Sequence, residues 1–163
     1  MMSKNLVFMR DIVCKYHPDF RKSADLRSYG IKHNDIFNIE RLIEESLAAL
    51  GSYKFVDKEG YDFTDYSDSK TTSVNQKTCV VTVSSVETKI GALRITTYNP
   101  FRDAADYFFV PASELVRVKK PCYGVNEHKE RIQFSYSSVK ENYYGWFEDY
   151  RVGSFKELAL ATG

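Results

Sequence analysis

The hydrophobic period of this chain changes at Gly51, and that change limits its possible folds more than any other feature. Residues 35–50 (DIFNIERLIEESLAAL) place Ile36, Ile39, Leu42, Ile43, Ser46, Leu47 and Leu50 at three- and four-residue spacing, which gives a helix one apolar face. Asn34 or Asp35 can cap its start, and Gly51 stands where helices commonly stop. From Tyr53 onward the pattern is that of strands. Residues 53–57 read as a short strand that turns at Lys58, Glu59 and Gly60, and 61–69 (YDFTDYSDS) are dense in acids and turn formers. Residues 70–74 look extended, with a hairpin turn at Asn75, Gln76 and Lys77. Three further strands follow at 79–86, 92–98 and 106–110, punctuated by Ile90-Gly91 and Asn99-Pro100. The expected fold is therefore α+β (α/β in the broad sense), N-terminal helices packed on a mostly antiparallel, mixed β-sheet arranged as a meander.

The remaining segments are less regular. Residues 114–118 form a strand or a short helix after Pro111, 131–136 (RIQFSY) alternate like an edge strand, and Ser154 can cap a short helix through 161. Between them, 141–150 (ENYYGWFEDY) form a packed loop or a dimer contact. The first residues (MMSKNLVFMRDIVCKYH) supply an initial helix or strand; Arg10 and Asp11 interrupt an apolar run too short for a signal peptide or membrane span. With 163 residues, no repeat and no low-complexity linker, a single domain over 1–163 is expected.

Charge and composition narrow the function classes. The net charge is +1, so no global basic excess advertises a nucleic-acid partner, although a carboxylate-rich site would offset Lys and Arg elsewhere. Basic residues gather locally as Arg117, Lys119 and Lys120, and as Lys129 and Arg131. Aromatics are abundant, with 12 Tyr and 11 Phe, and suit sheet faces, core and base-stacking surfaces alike. Arg94, Tyr98, Phe101, Arg102 and Tyr107 interleave cations with rings; they either track a phosphate backbone or form the wet face of a sheet. Cys14, Cys79 and Cys122 lie far apart and make no zinc spacing with His17, His33 and His128, which fits a reducing cytoplasm. P-loop, GxGxxG, HExxH and GxSxG motifs are absent.

The chemically loaded stretch is 59–70 (EGYDFTDYSDSK), which holds Glu59, Asp62, Asp65 and Asp68, with Lys70 two residues beyond Asp68. On a strand, residues two apart share a face, so Asp68 and Lys70 would point into one site, and Asp62 could approach from the preceding segment. Crowded carboxylates repel one another unless a proton or cation relieves them. Magnesium typically takes one or two carboxylates and keeps its other positions for water and phosphate oxygens. A lysine beside a metal-bound water can orient it and offset charge on a phosphate.

This order of helix, acid, D-x-K and following strands resembles the PD-(D/E)xK nuclease core of type II restriction endonucleases, over roughly residues 35–111. The resemblance implies that Asp62 and Asp68 bind metal, that Lys70 assists the attacking water, and that Glu40 or Glu44 is the helical glutamate. Tyr61 stands where the family has Pro, only five residues separate Asp62 from Asp68, and Tyr66 and Ser67 are less apolar than the usual lead-in. A second registration takes Asp68 as first acid with Glu87 and Lys89 as E-x-K, led by the apolar strand CVVTVSSV. Asp62, Asp68 and Lys70 are preferred, with Glu44 beside them. The expected activity is Mg²⁺- or Mn²⁺-dependent hydrolysis of double-stranded DNA by a homodimer. The alternatives are a solvated, turn-capping loop in place of the site, and a non-catalytic β-rich module binding nucleic acid or protein.

Overall fold

A computed structural model describes residues 36–102, 104–122 and 128–163; the proposed N-terminal element, the Asn34 and Asp35 caps, Cys14, His17 and His33 lie outside them. The expected helix is present as α1 (Ile36–Leu50). Of its described apolar side chains, Ile43 and Leu47 are fully buried and Leu50 is partly buried; Ile36, Ile39 and Leu42 have side chains outside the described set. Gly51 N–H donates to the Leu47 carbonyl at 2.8 Å as the helix ends.

Among the described residues ten strands and two more helices follow, in a mixed α+β arrangement. Strands β1 (Phe55–Lys58) and β2 (Tyr61–Phe63) form a hairpin whose turn residue Gly60 has a φ of +89°, a left-handed conformation that glycine adopts without strain. β3 (Asp68–Ser73) then lies beside β5 (Leu93–Asn99), which hairpins into β6 (Ala104–Val110); β10 (Arg151–Val152) completes a sheet of order β10-β6-β5-β3. β4 (Val80–Val83), β8 (Glu130–Ser137) and β7 (Lys120–Pro121) make a second sheet, and β9 (Asn142–Tyr143) pairs with β8. Helix α2 (Ala112–Val118) follows Pro111, a 3₁₀ turn spans Gly145–Tyr150, and α3 (Phe155–Leu160) is capped by Ser154, whose hydroxyl accepts from Glu157 N–H at 3.1 Å.

The structure corrects three expectations. The turn at Asn75 forms, with Asn75 Oδ1 accepting from Lys77 and Thr78 N–H, but β3 and β4 do not continue as a hairpin. Val81 and Val83 of β4 bury themselves against β8, so the chain crosses to the second sheet and returns as β5 parallel to β3, Asp68 opposite Leu93. Residues 131–136 are interior rather than an edge, because β8 takes partners from β4, β7 and β9. The ENYYGWFEDY segment packs inward: Tyr143, Phe147 and Tyr150 are buried, and Phe147 stacks on Phe134 with ring centres 3.9 Å apart.

The third correction concerns the cation–aromatic set. All seven β5 residues are buried; one face meets the second sheet through Leu93 and Ile95, and on the other α3 covers Arg94. Alternation on β5 therefore does not mark a wet face. Arg94 is 1 % exposed. Its Nη1 donates to the carbonyls of Leu158 (2.6 Å), Ala161 (3.0 Å) and Ala159 (3.3 Å), which the end of α3 leaves without helical partners. Nε donates to Ser67 Oγ at 3.1 Å and Nη2 to Asp65 Oδ2 at 2.9 Å, while the guanidinium lies 4.3 Å from the Tyr53 ring centre. Tyr98 is buried, Phe101 stacks on Tyr136, Tyr107 meets Phe155 edge-on, and Arg102 binds Asp106. Asp106 itself accepts from Arg102, Arg151, Asn99 and the Tyr143 hydroxyl, which ties β9 and β10 to the β5–β6 hairpin. No helix among the described residues is long and apolar enough to cross a membrane. Cys79 and Cys122 carry free thiols.

Removing the Arg94 guanidinium strands carbonyls at the end of α3 and unpairs Asp65, so Arg94→Met is expected to cost about 3–5 kcal/mol. Arg94→Lys should recover only part of this, because an ammonium cannot reach acceptors spread around a planar fork. Urea unfolding with an unchanged m-value would check both.

Candidate active site

The short span between Asp62 and Asp68 is what brings the two together. Asp62 and Phe63 N–H both donate to the Ser67 carbonyl (3.0 and 3.1 Å), and Tyr66 N–H to that of Phe63 (2.9 Å), closing a tight loop from β2 into β3. Asp65 fastens the loop: Oδ1 accepts from the Ser67 amide (3.0 Å) and hydroxyl (2.5 Å), and Oδ2 from Arg94. Burial opposes ionisation there, but the Ser67 donors and the Arg94 charge outweigh it and hold the Asp65 carboxyl below its ordinary range. Gly91 is required beneath the loop, since a Cβ at that position would overlap the Tyr66 carbonyl. Asp62 then reaches β3, its Oδ2 accepting from Ser69 N–H at 2.9 Å.

A cleft of about 410 Å³ opens at this point between α1, β3 and β4. Glu40 and Glu44, one turn apart on α1, line it together with Asp62, Asp68, Lys70 and Lys89, and with the small residues Thr71, Thr82, Ser84 and Ser85. Asp68 is 2 % exposed at the head of β3. Lys70, on the same face two residues along, places Nζ 3.9 Å from Asp68 Oδ2 and 3.4 Å from the Ser85 carbonyl. Lys89 comes from the loop between β4 and β5 and puts Nζ 3.1 Å from Asp68 Oδ1. That approach is close enough for an ion pair but is not aligned as a hydrogen bond, so Oδ1 is a buried oxygen without a hydrogen-bond donor. Glu87, the acid of the second registration, points elsewhere: its Oε1 accepts from Glu130 N–H at 2.9 Å at the start of β8. The cleft therefore combines the Asp62, Asp68 and Lys70 set with Lys89 of the other registration, and both candidate helical glutamates face it.

Comparison with family models, curated proteins and solved structures returns no match. The chemistry of the cleft must be read from its own groups.

Four carboxyl groups and two ammonium groups share this space, and their proton affinities shift accordingly. Burial, then the charges of Asp62 and Asp68, push Glu44 up to about 9. Burial and the neighbouring Asp68 charge raise Asp62 to about 7, against the pull of the Ser69 amide. Glu40 is raised by burial, with Lys70 opposing, and burial lowers Lys70. Negative charge is thus in excess and is held partly as protons. Among the described residues no three His, Cys, Asp or Glu side chains are placed to clasp a metal. Two carboxylates with room for water are nevertheless what a hydrated dication uses, and the Asp62–Asp68 pair beside the donor-free Asp68 Oδ1 fits that need. Sequence reasoning missed one member of the group as a partner of the preferred set. Lys89 was assignable only as an alternative to Lys70, because nothing in the pattern shows that the β4 crossover returns beside Asp68.

Glu44 binds its proton more tightly in the folded chain than in the unfolded one. Its contribution is therefore favourable at low pH, and stability falls as pH rises from about 4.5 towards 9. In metal-free buffer Glu44→Gln should match the wild type below this window and become progressively more stable than it within the window, as read by thermal melts across pH. A difference independent of pH would show that Glu44 binds its proton equally in the folded and unfolded chain.

Proposed function

We propose that this chain is a Mg²⁺- or Mn²⁺-dependent endodeoxyribonuclease with a restriction-endonuclease-like core, acting on double-stranded DNA as a homodimer. The observation that carries the reading is the meeting of Asp62, Asp68 and Lys70 in one cleft, with Glu44 on its wall and a buried Asp68 oxygen lacking a hydrogen-bond donor. Acid, acid and lysine are the groups that phosphodiester hydrolysis requires, and in this chain they come from a tight loop and one strand face.

Asp62 and Asp68 would hold the cation, which when bound acidifies a water and neutralises phosphate oxygens. The Lys70 ammonium, tethered to the Ser85 carbonyl, orients the attacking water and offsets charge building on the phosphate. The water oxygen bonds to phosphorus as its proton passes to solvent water in the open cleft, the bond from phosphorus to the leaving sugar oxygen breaks, and that oxygen takes up a proton from solvent. Glu44 would stand on the wall of the cleft as the helical glutamate, its raised proton affinity falling once a cation neutralises Asp62 and Asp68. One such site per subunit cuts one strand, and two-fold symmetry brings a second site to the other.

A second reading, a non-catalytic nucleic-acid-binding module, draws on a different observation: Lys120 stands directly opposite Arg131 where β7 meets β8. Like charges facing across strands destabilise a sheet and suit a polyanion.

Supercoiled plasmid separates the two. The wild type should nick or linearise it with Mg²⁺ and leave it intact with EDTA, while Asp68→Ala with Mg²⁺ should match the EDTA control. Equal behaviour of wild type and variant, with DNA retained in a gel shift, would leave only the binding module.

A further inference from the structure

Lys70 and Lys89 converge on one buried carboxylate, one at each oxygen, but they are held differently. Lys70 is fixed to β3, and its Nζ also meets the Ser85 carbonyl at 3.4 Å. Lys89 stands in the loop between β4 and β5, beside exposed Thr88 and Ile90, and is the nearer of the two, 3.1 Å from Asp68 Oδ1. Its side chain is 15 % exposed and borders the open volume of the cleft, so it has space to withdraw. Oδ1 gains charge neutralisation from Lys89 but no hydrogen bond, an arrangement easily exchanged for a better cation.

We propose that Lys89 is an internal counter-ion that occupies the cation position on Asp68 and withdraws when a divalent cation binds, so that Lys89 sets the metal affinity of the site. The inference rests on the metal-site part of the proposed function. Two like charges on one buried oxygen repel strongly, so the dication and the Lys89 ammonium are alternatives. Without metal, Lys89 steadies a carboxylate that would otherwise be buried without a neutralising contact on Oδ1, and this lets the loop and β3 fold before any ion arrives. Lys70, farther away and anchored to Ser85, stays in place.

The test is Mn²⁺ binding to the full chain by isothermal calorimetry, with free Mn²⁺ checked by electron paramagnetic resonance. Lys89→Met should tighten binding about 5- to 10-fold more than Lys70→Met, since removing a competitor adds to the general loss of positive charge. Lys89→Arg, which keeps the competing cation, should bind Mn²⁺ no more tightly than the wild type, and Asp68→Asn should lose the site. Equal tightening by Lys89→Met and Lys70→Met, or none at Lys89, overturns the proposal, as does failure of both wild type and Lys89→Met to bind Mn²⁺. Binding by Lys89→Met alone supports it, with Lys89 blocking the site in the wild type. If Mn²⁺ binds as expected while plasmid stays intact, the nuclease reading falls and the role of Lys89 stands.

Discussion

The architecture depends on a guanidinium almost wholly withdrawn from water. Arg94 lies on the central strand β5 and joins the unpaired carbonyls at the end of α3 to the loop that carries the chain from β2 into β3. A buried charge is costly unless every donor is used, and here the planar fork meets carbonyls, a hydroxyl and a carboxylate at once. The loop it fastens is the one that folds Asp62 back onto Asp68. The geometry of the cleft therefore follows from a contact that never enters it, and packing of the C-terminal helix is linked to the placement of the acids.

Within the cleft, carboxylates that burial has deprived of water repel one another, and this repulsion governs how the other groups are arranged. Three devices relieve it: protons retained on Glu44 and Asp62, the ammonium groups of Lys70 and Lys89, and the Ser69 amide at Asp62. The proposed cation would take over this role, with proton release on binding. A merely structural cluster would instead be expected to use fixed, fully hydrogen-bonded partners. The Asp106 network, where two arginines, a tyrosine and an asparagine enclose one carboxylate, is that kind.

Much of this was legible in the sequence where local rules govern. The α1 period, the Gly51 stop, the Ser154 cap and the shared face of Asp68 and Lys70 each depend on neighbours a few residues apart. The parts that were not legible depend on distant packing. Val81 and Val83 could pair with either sheet, and only the competing surface of β8 decides that β4 leaves the meander and that β5 returns parallel to β3. That crossover is also what delivers Lys89 to Asp68. Arg94 and Thr96 alternate with Leu93 and Ile95 as a solvated face would, yet both are buried, Arg94 beneath α3.

Anomalous diffraction from crystals grown with Mn²⁺ tests the central claim most directly. A single strong peak in contact with carboxylate oxygens of Asp62 and Asp68, at about 2.1 Å, with the Lys89 ammonium withdrawn from Oδ1, is the predicted result. A cleft without a peak at saturating Mn²⁺, with Lys89 still seated on Asp68, would contradict it.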